Sequence, residues 1–124
     1  MARILVVEDE PLIGAIAEEW LIELGHDVAG PAGNLDCALD LAATSIDGAI
    51  IDVSLGRETG YPVAEALAAR GVPFVFATGY GQDDLDPAWR GRPTLTKPFE
   101  FDAFRAAVER MLAGGYQRRP ASPD

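Results

Sequence analysis

One cysteine, one histidine and ten basic residues against twenty acidic ones are what 124 residues supply, and each scarcity closes off a class of function. Cys37 has no second thiol, so it can form no internal disulfide. The alanines and leucines around it mark it as a small core residue of a helix in a reducing compartment. The formal charge of −10 repels nucleic acid and anionic membrane surfaces, so neither is expected as a partner. Long apolar runs are missing too. The N-terminus passes directly into the short run Ile4 to Val7, with no basic leader or membrane span, and a cytoplasmic location is expected. His26 follows the glycine that ends a helical pattern and reads as a surface residue.

What is present is an ordinary globular composition, 48% hydrophobic, at a length that suits one domain with a single substantial core. Short apolar runs alternate with helical patterns, which predicts an α/β fold: a parallel sheet covered on both faces. The strands are expected at Arg3 to Val7, Asp27 to Gly30, Gly48 to Ile51, Pro73 to Ala77 and Pro93 to Thr96, the second a weak edge strand. Helices are expected from Pro11 to Gly25, from the N-cap Asn34 through Ala42, from Tyr61 to Arg70, and from Phe101 to Leu112. The slot of the fourth helix, Gly81 to Gly91, contains a proline and only Leu85 and Trp89 as large apolar residues, which predicts a short or irregular element. Trp89 either pins that segment to the body or marks a docking surface. Trp20 lies on the core stripe of the first helix. The domain is expected over residues 1–113, with a flexible tail over 114–124.

The chemistry concentrates at strand ends. Glu8 and Asp9 follow the first strand, Asp52 the third, Thr78 the fourth and Lys97 the fifth. In open parallel sheets, ligands bind outside the carboxyl ends of the strands, near the switch in strand order. Carboxylates gathered at the mouth of an apolar sheet require a cation or a proton to offset their charge. Carboxylates with a backbone carbonyl suit Mg²⁺. A carboxylate beside such an ion can attack a phosphoryl group, while a lysine and a threonine hydroxyl neutralise and hydrogen-bond the phosphoryl oxygens.

Together, ILVVEDEP at Ile4 to Pro11, IIDVSLG at Ile50 to Gly56, Ala77-Thr78-Gly79 and Lys97-Pro98-Phe99 resemble the receiver domain of two-component response regulators over residues 3–112. The resemblance implies a doubly wound, flavodoxin-like five-stranded sheet in the order 2-1-3-4-5. It implies that Asp52 accepts a phosphoryl group from a sensor histidine kinase, and that Asp9, Asp52 and the Ser54 carbonyl bind Mg²⁺, with Glu8 acting through water. By the same resemblance Lys97 pairs with the phosphoryl group, Thr78 hydrogen-bonds it, and the Lys97-Pro98 bond is cis. The segment Pro73 to Tyr80 is similar to the PFxFATGY signature of a subfamily of often single-domain receivers associated with HWE-class kinases.

Two features depart from the pattern. The first acid is Glu8, one methylene longer than aspartate, and Thr94 stands where receivers carry a switch aromatic. Tyr80 is the candidate for the moving ring. The expected protein is no metabolic enzyme: it would catalyse only its own phosphotransfer and autodephosphorylation. With no output domain in view, its readout is expected through a downstream protein or phosphotransfer partner, as a monomer or weak homodimer. An aspartyl-phosphate phosphatase would need an acid at Ser54, and a flavodoxin-like cofactor carrier would need a phosphate loop where Glu8-Asp9-Glu10 stands. A receiver acting without phosphorylation would not need the complete set of acids, threonine and lysine.

Overall fold

The alternation of apolar residues is what builds the molecule from both sides of one sheet. In the computed structural model, which describes residues 2–114, strands β1 (Arg3–Val7), β2 (Asp27–Ala32), β3 (Gly48–Asp52), β6 (Phe74–Thr78) and β7 (Thr94–Thr96) form a parallel sheet in the order β2-β1-β3-β6-β7. Because side chains on a strand point alternately to opposite faces, β1, β3 and β6 each feed two cores. Leu5, Val7, Ala49, Ile51, Phe74 and Phe76 face α2 (Leu35–Ala42) and α3 (Tyr61–Ala69). Ile4, Val6, Ile50, Val75, Ala77 and Leu95 face α1 (Pro11–Glu23) and α4 (Phe101–Leu112). Trp20 joins the second core, edge-on to Phe101 and Phe104 at 5.4 Å between ring centroids.

The sheet order and the four α-helices among the described residues match the sequence expectation, and several boundaries differ. β2 runs past Gly30 to Ala32, its register against β1 shifting between Leu5 and Val7. Between β3 and α3 lies a hairpin that its two-residue strands gave no periodicity to announce: β4 (Ser54–Leu55) against β5 (Glu58–Thr59). Its turn uses Gly56 at a φ of 64°, in the left-handed region that glycine tolerates. The expectation for Cys37 is corrected, for the residue is exposed. Asn34 caps α2 by accepting from the Cys37 N–H at 2.8 Å, and in that register Ala38 and Ala42 turn inward, leaving the thiol on the outer face. His26 is half-buried, its Nδ1 accepting from the Ala2 N–H at 3.1 Å. The tail expected from residue 114 lies, beyond Gly114, outside the described residues.

Where a fourth crossover helix would lie, there are two single turns of 3-10 helix, Gly81–Asp84 and Pro87–Trp89. The segment is irregular without being loose. Leu85 is 1% exposed within the α2–α3 core, and the Trp89 ring stacks on Tyr61 at 5.8 Å with 3° between planes. Its indole also meets Phe74 and Phe76 edge-on, which settles the role of Trp89 as the pin of this segment. Leu85→Ala should therefore cost about 2–5 kcal/mol in urea unfolding, as a core truncation does. Leu12→Ala, at a site 73% exposed, should change stability by no more than about 0.5 kcal/mol.

Candidate functional site

Four strand ends deliver the polar residues that the sheet buries. Glu8, Asp52 and Thr78 are 6%, 4% and 1% exposed, and they stand at the carboxyl ends of β1, β3 and β6. Lys97 follows β7 and reaches across the sheet; its N–H donates to the Thr78 carbonyl at 2.7 Å, and the bond to Pro98 is cis, as expected. Its Nζ lies 2.9 Å from Asp52 Oδ2, 3.1 Å from Glu8 Oε1 and 3.3 Å from Glu10 Oε1. Each ammonium hydrogen thus has a carboxylate to meet. The Ser54 N–H donates to Asp52 Oδ1 at 3.1 Å, so both oxygens of that carboxylate are oriented.

Glu8, Asp9 and Asp52 offer carboxylate oxygens that all lie within 4.8 Å of one another. Asp9 is exposed, Glu8 and Asp52 are buried, and a cleft of about 460 Å³ opens over Asp9 and Asp52, lined also by Glu10, Ser54, Thr78 and Lys97. A hard divalent cation fits this donor set, since one lysine leaves the acids undercompensated. Tyr80, by contrast, is 79% exposed and points away from the described core.

Residues not singled out in the sequence complete the site. Glu10 joins the Lys97 ion cluster, although it is exposed and reads in sequence as one acid of a run. Gly60 packs on Asp52: a Cβ there would collide with the Asp52 carbonyl oxygen and the Ile51 side chain. Asp84 accepts from the N–H groups of Gly79 and Tyr80. Nothing in GQDDLDPAWRG distinguishes it from Asp83 or Asp86, because direction within an irregular segment carries no period.

The electrostatics arise from burial. Burial, aided by a hydrogen bond to Asp52 and by its charge, raises the Glu8 carboxyl from 4.5 to about 7, against the opposing pull of the Glu10 N–H and Lys97. Burial alone would lower Lys97, but its contacts with Asp52 and Glu8 outweigh that and hold it above its ordinary value. A raised acid binds its proton more tightly folded than unfolded. Its contribution is complete below the unfolded value and is lost as pH rises through the folded one. Without divalent cations, urea unfolding should therefore show the wild type losing a few kcal/mol, order of magnitude, between about pH 4.5 and about pH 7.5 relative to Glu8→Gln. A difference that stays flat over that window would contradict the assignment.

The comparisons agree with this geometry. Residues 4–109 match the family model described as the response regulator receiver domain. The transcriptional regulatory protein PdtaR of Mycobacterium tuberculosis is 34% identical over 112 residues, covering 86% of this chain and 55% of its own length. This chain thus spans about half the length of the curated relatives it matches. The solution structure of SdrG from Sphingomonas melonis Fr1 is 46% identical with a TM-score of 0.79, covering 90% of this chain and 97% of that one. SdrG is also known in a BeF3-activated conformation, with a TM-score of 0.74. TrrA of Thermotoga maritima, in complex with Mg²⁺-BeF, is 28% identical with a TM-score of 0.76, over 90% of this chain and 100% of that one. A buried acid cluster bridged by one lysine at the carboxyl edge of a 2-1-3-4-5 sheet, with a family match over nearly the whole described chain, places it among the response regulator receiver domains.

Proposed function

We propose that this receiver is a phosphorylation-controlled switch in which Asp52 accepts a phosphoryl group from a sensor histidine kinase. The observation that supports it best is the Asp52 carboxylate, buried yet open to the cleft, with Oδ2 on Lys97 and Oδ1 on the Ser54 N–H. A carboxylate oxygen would attack phosphorus in line while the bond from phosphorus to the donor breaks, leaving an acyl phosphate on Asp52 and the donor's leaving group with its electron pair. Lys97 orients the attacking carboxylate and offsets negative charge that grows beside it. Glu8, Asp9 and Asp52, with the Ser54 carbonyl, would hold Mg²⁺, whose chemistry there is to neutralise the phosphoryl oxygens. The complexes of SdrG with BeF3 and of TrrA with Mg²⁺-BeF support the same reading by likeness.

Thr78 gives the site its route outward. Its Oγ1 now donates to the Gly81 carbonyl at 3.2 Å, and a phosphoryl oxygen on Asp52 would compete for that donor. The loop beginning at Tyr80 would then shift, altering the surface read by a downstream protein or phosphotransfer partner. Tyr80 would serve as the moving ring that Thr94 cannot supply. An HWE-class kinase as donor, a cytoplasmic setting, and a monomer or weak homodimer complete the proposal. No helix among the described residues is long and apolar enough to cross a membrane.

Incubation with Mg²⁺ and a small acyl phosphate should yield one phosphoryl adduct by intact mass. The adduct should be absent in Asp52→Asn and slowed about 10-fold or more in Lys97→Met. An adduct that persists in Asp52→Asn would refute the acceptor. For Tyr80→Ala, the change in Trp fluorescence on adding Mg²⁺ and beryllofluoride should shrink against wild type. An unaltered response would remove Tyr80 from the switch.

A further inference from the structure

In the segment after β6, one acidic side chain turns back onto the site. Asp84 places Oδ2 2.9 Å from the Gly79 nitrogen and 3.0 Å from the Tyr80 nitrogen. Two successive N–H groups converging on one oxygen form a small anion seat of backbone dipoles. The seat belongs to the phosphoryl cleft, because Gly79 and Asp84 line it together with Asp52, Thr78 and Lys97. The same turn also takes the Thr78 hydroxyl, through the Gly81 carbonyl. In the resting chain, then, the Thr78 O–H and the Gly79 N–H, consecutive donors at the end of β6, are both occupied by acceptors of Gly81–Asp84.

The geometry points to Asp84 as a built-in competitor of the phosphoryl group. Its carboxylate fills the Gly79–Tyr80 anion seat at rest and vacates it when Asp52 is phosphorylated, releasing the turn. This inference rests on Asp52 being the acceptor. A phosphoryl group brings negative charge and three strong acceptor oxygens into the cleft. It repels the Asp84 carboxylate and competes for the N–H groups that hold it. Asp84 touches no reacting atom, so it is a positioning residue.

The release has a defined route. The Asp84 carbonyl accepts from Tyr61 Oη at 3.4 Å, and the Asp86 N–H donates to the same Oη at 2.8 Å. Tyr61 in turn carries Trp89 on its ring face. A shift of the turn that follows the release of the Asp84 carboxylate would therefore be felt at Tyr61, through the Asp84 carbonyl, and change the surroundings of the indole.

The test titrates Mg²⁺ and beryllofluoride into the full chain in a Trp20→Phe background, where Trp89 is the remaining tryptophan. Asp84→Ala and Asp84→Asn are compared with their parent and with Asp52→Asn. Asp84→Ala should bind beryllofluoride about three- to tenfold more tightly, the scale of one charged hydrogen bond discounted for partial exposure. Its resting Trp89 emission should lie nearer that of the activated parent. Asp84→Asn, which keeps the acceptor and drops the charge, should fall between, and it decides the sign if Asp84→Ala loses its fold. A residue that merely braces the loop would leave binding unchanged or weaker when removed, and either result overturns the competitor while leaving Asp52 as acceptor. A parent that neither binds beryllofluoride nor gains an Asp52-dependent adduct overturns the acceptor and, with it, this inference.

Discussion

The ammonium of Lys97 is the contact on which the site depends. Two carboxylates, Glu8 and Asp52, are buried at the end of an apolar sheet, a placement that costs several kcal/mol per uncompensated ion. Lys97 reaches both, and Glu10 besides, from across β3 and β6. One cation still serves three acids, and burial, aided by the neighbouring Asp52, raises the Glu8 carboxyl to about 7. Such a balance would favour a further cation, which is what the proposed metal-assisted phosphoryl acceptor requires.

The sheet makes that balance rigid. Strands β1, β3 and β6 are clamped between two cores by alternating residues, so their carboxyl ends cannot move independently. Gly60 shows how closely the site is built, since even a methyl group there would strike the backbone of Asp52. The segment from Tyr80 to Arg92 is built differently. It lacks a regular helix and is attached by side chains: Leu85 in the core, Trp89 on Tyr61, and Asp84 on the Gly79 and Tyr80 N–H groups. Apolar anchors hold its far end while polar contacts to the site hold its near end. A change of charge at Asp52 would act first on the near end and reach the apolar anchors only through Tyr61, which the backbone of Asp84 and Asp86 contacts.

Much of this was legible in the amino-acid sequence, for physical reasons. The strands β1, β3 and β6 carry runs of Ile, Leu, Val, Ala and Phe, and burial of such runs on both faces admits few arrangements. The acids and the threonine directly follow those runs and the lysine follows the short β7, so placing the strands also placed the side chains. What escaped were features without a period. The β4–β5 hairpin is too short to show alternation. Cys37 sits beside the inward alanines of α2, and the Asn34 cap sets the register that turns it out. Glu10 lies next to two site acids in sequence, but only the path of Lys97 after β7 makes it a partner.

The order of residues establishes which chemical groups stand at the carboxyl edge of the sheet, because hydrophobic periodicity assigns the strand ends and covalent order assigns the residues attached to them. Which donors are already taken depends on contacts between segments far apart in the chain. Asp83, Asp84 and Asp86 are equivalent as letters in a polar segment. Leu85 entering the core and Trp89 stacking on Tyr61 orient that segment so that Asp84, and neither of its neighbours, closes on the Gly79 and Tyr80 N–H groups. Packing across distant parts of the chain sets that orientation, and no local pattern encodes it.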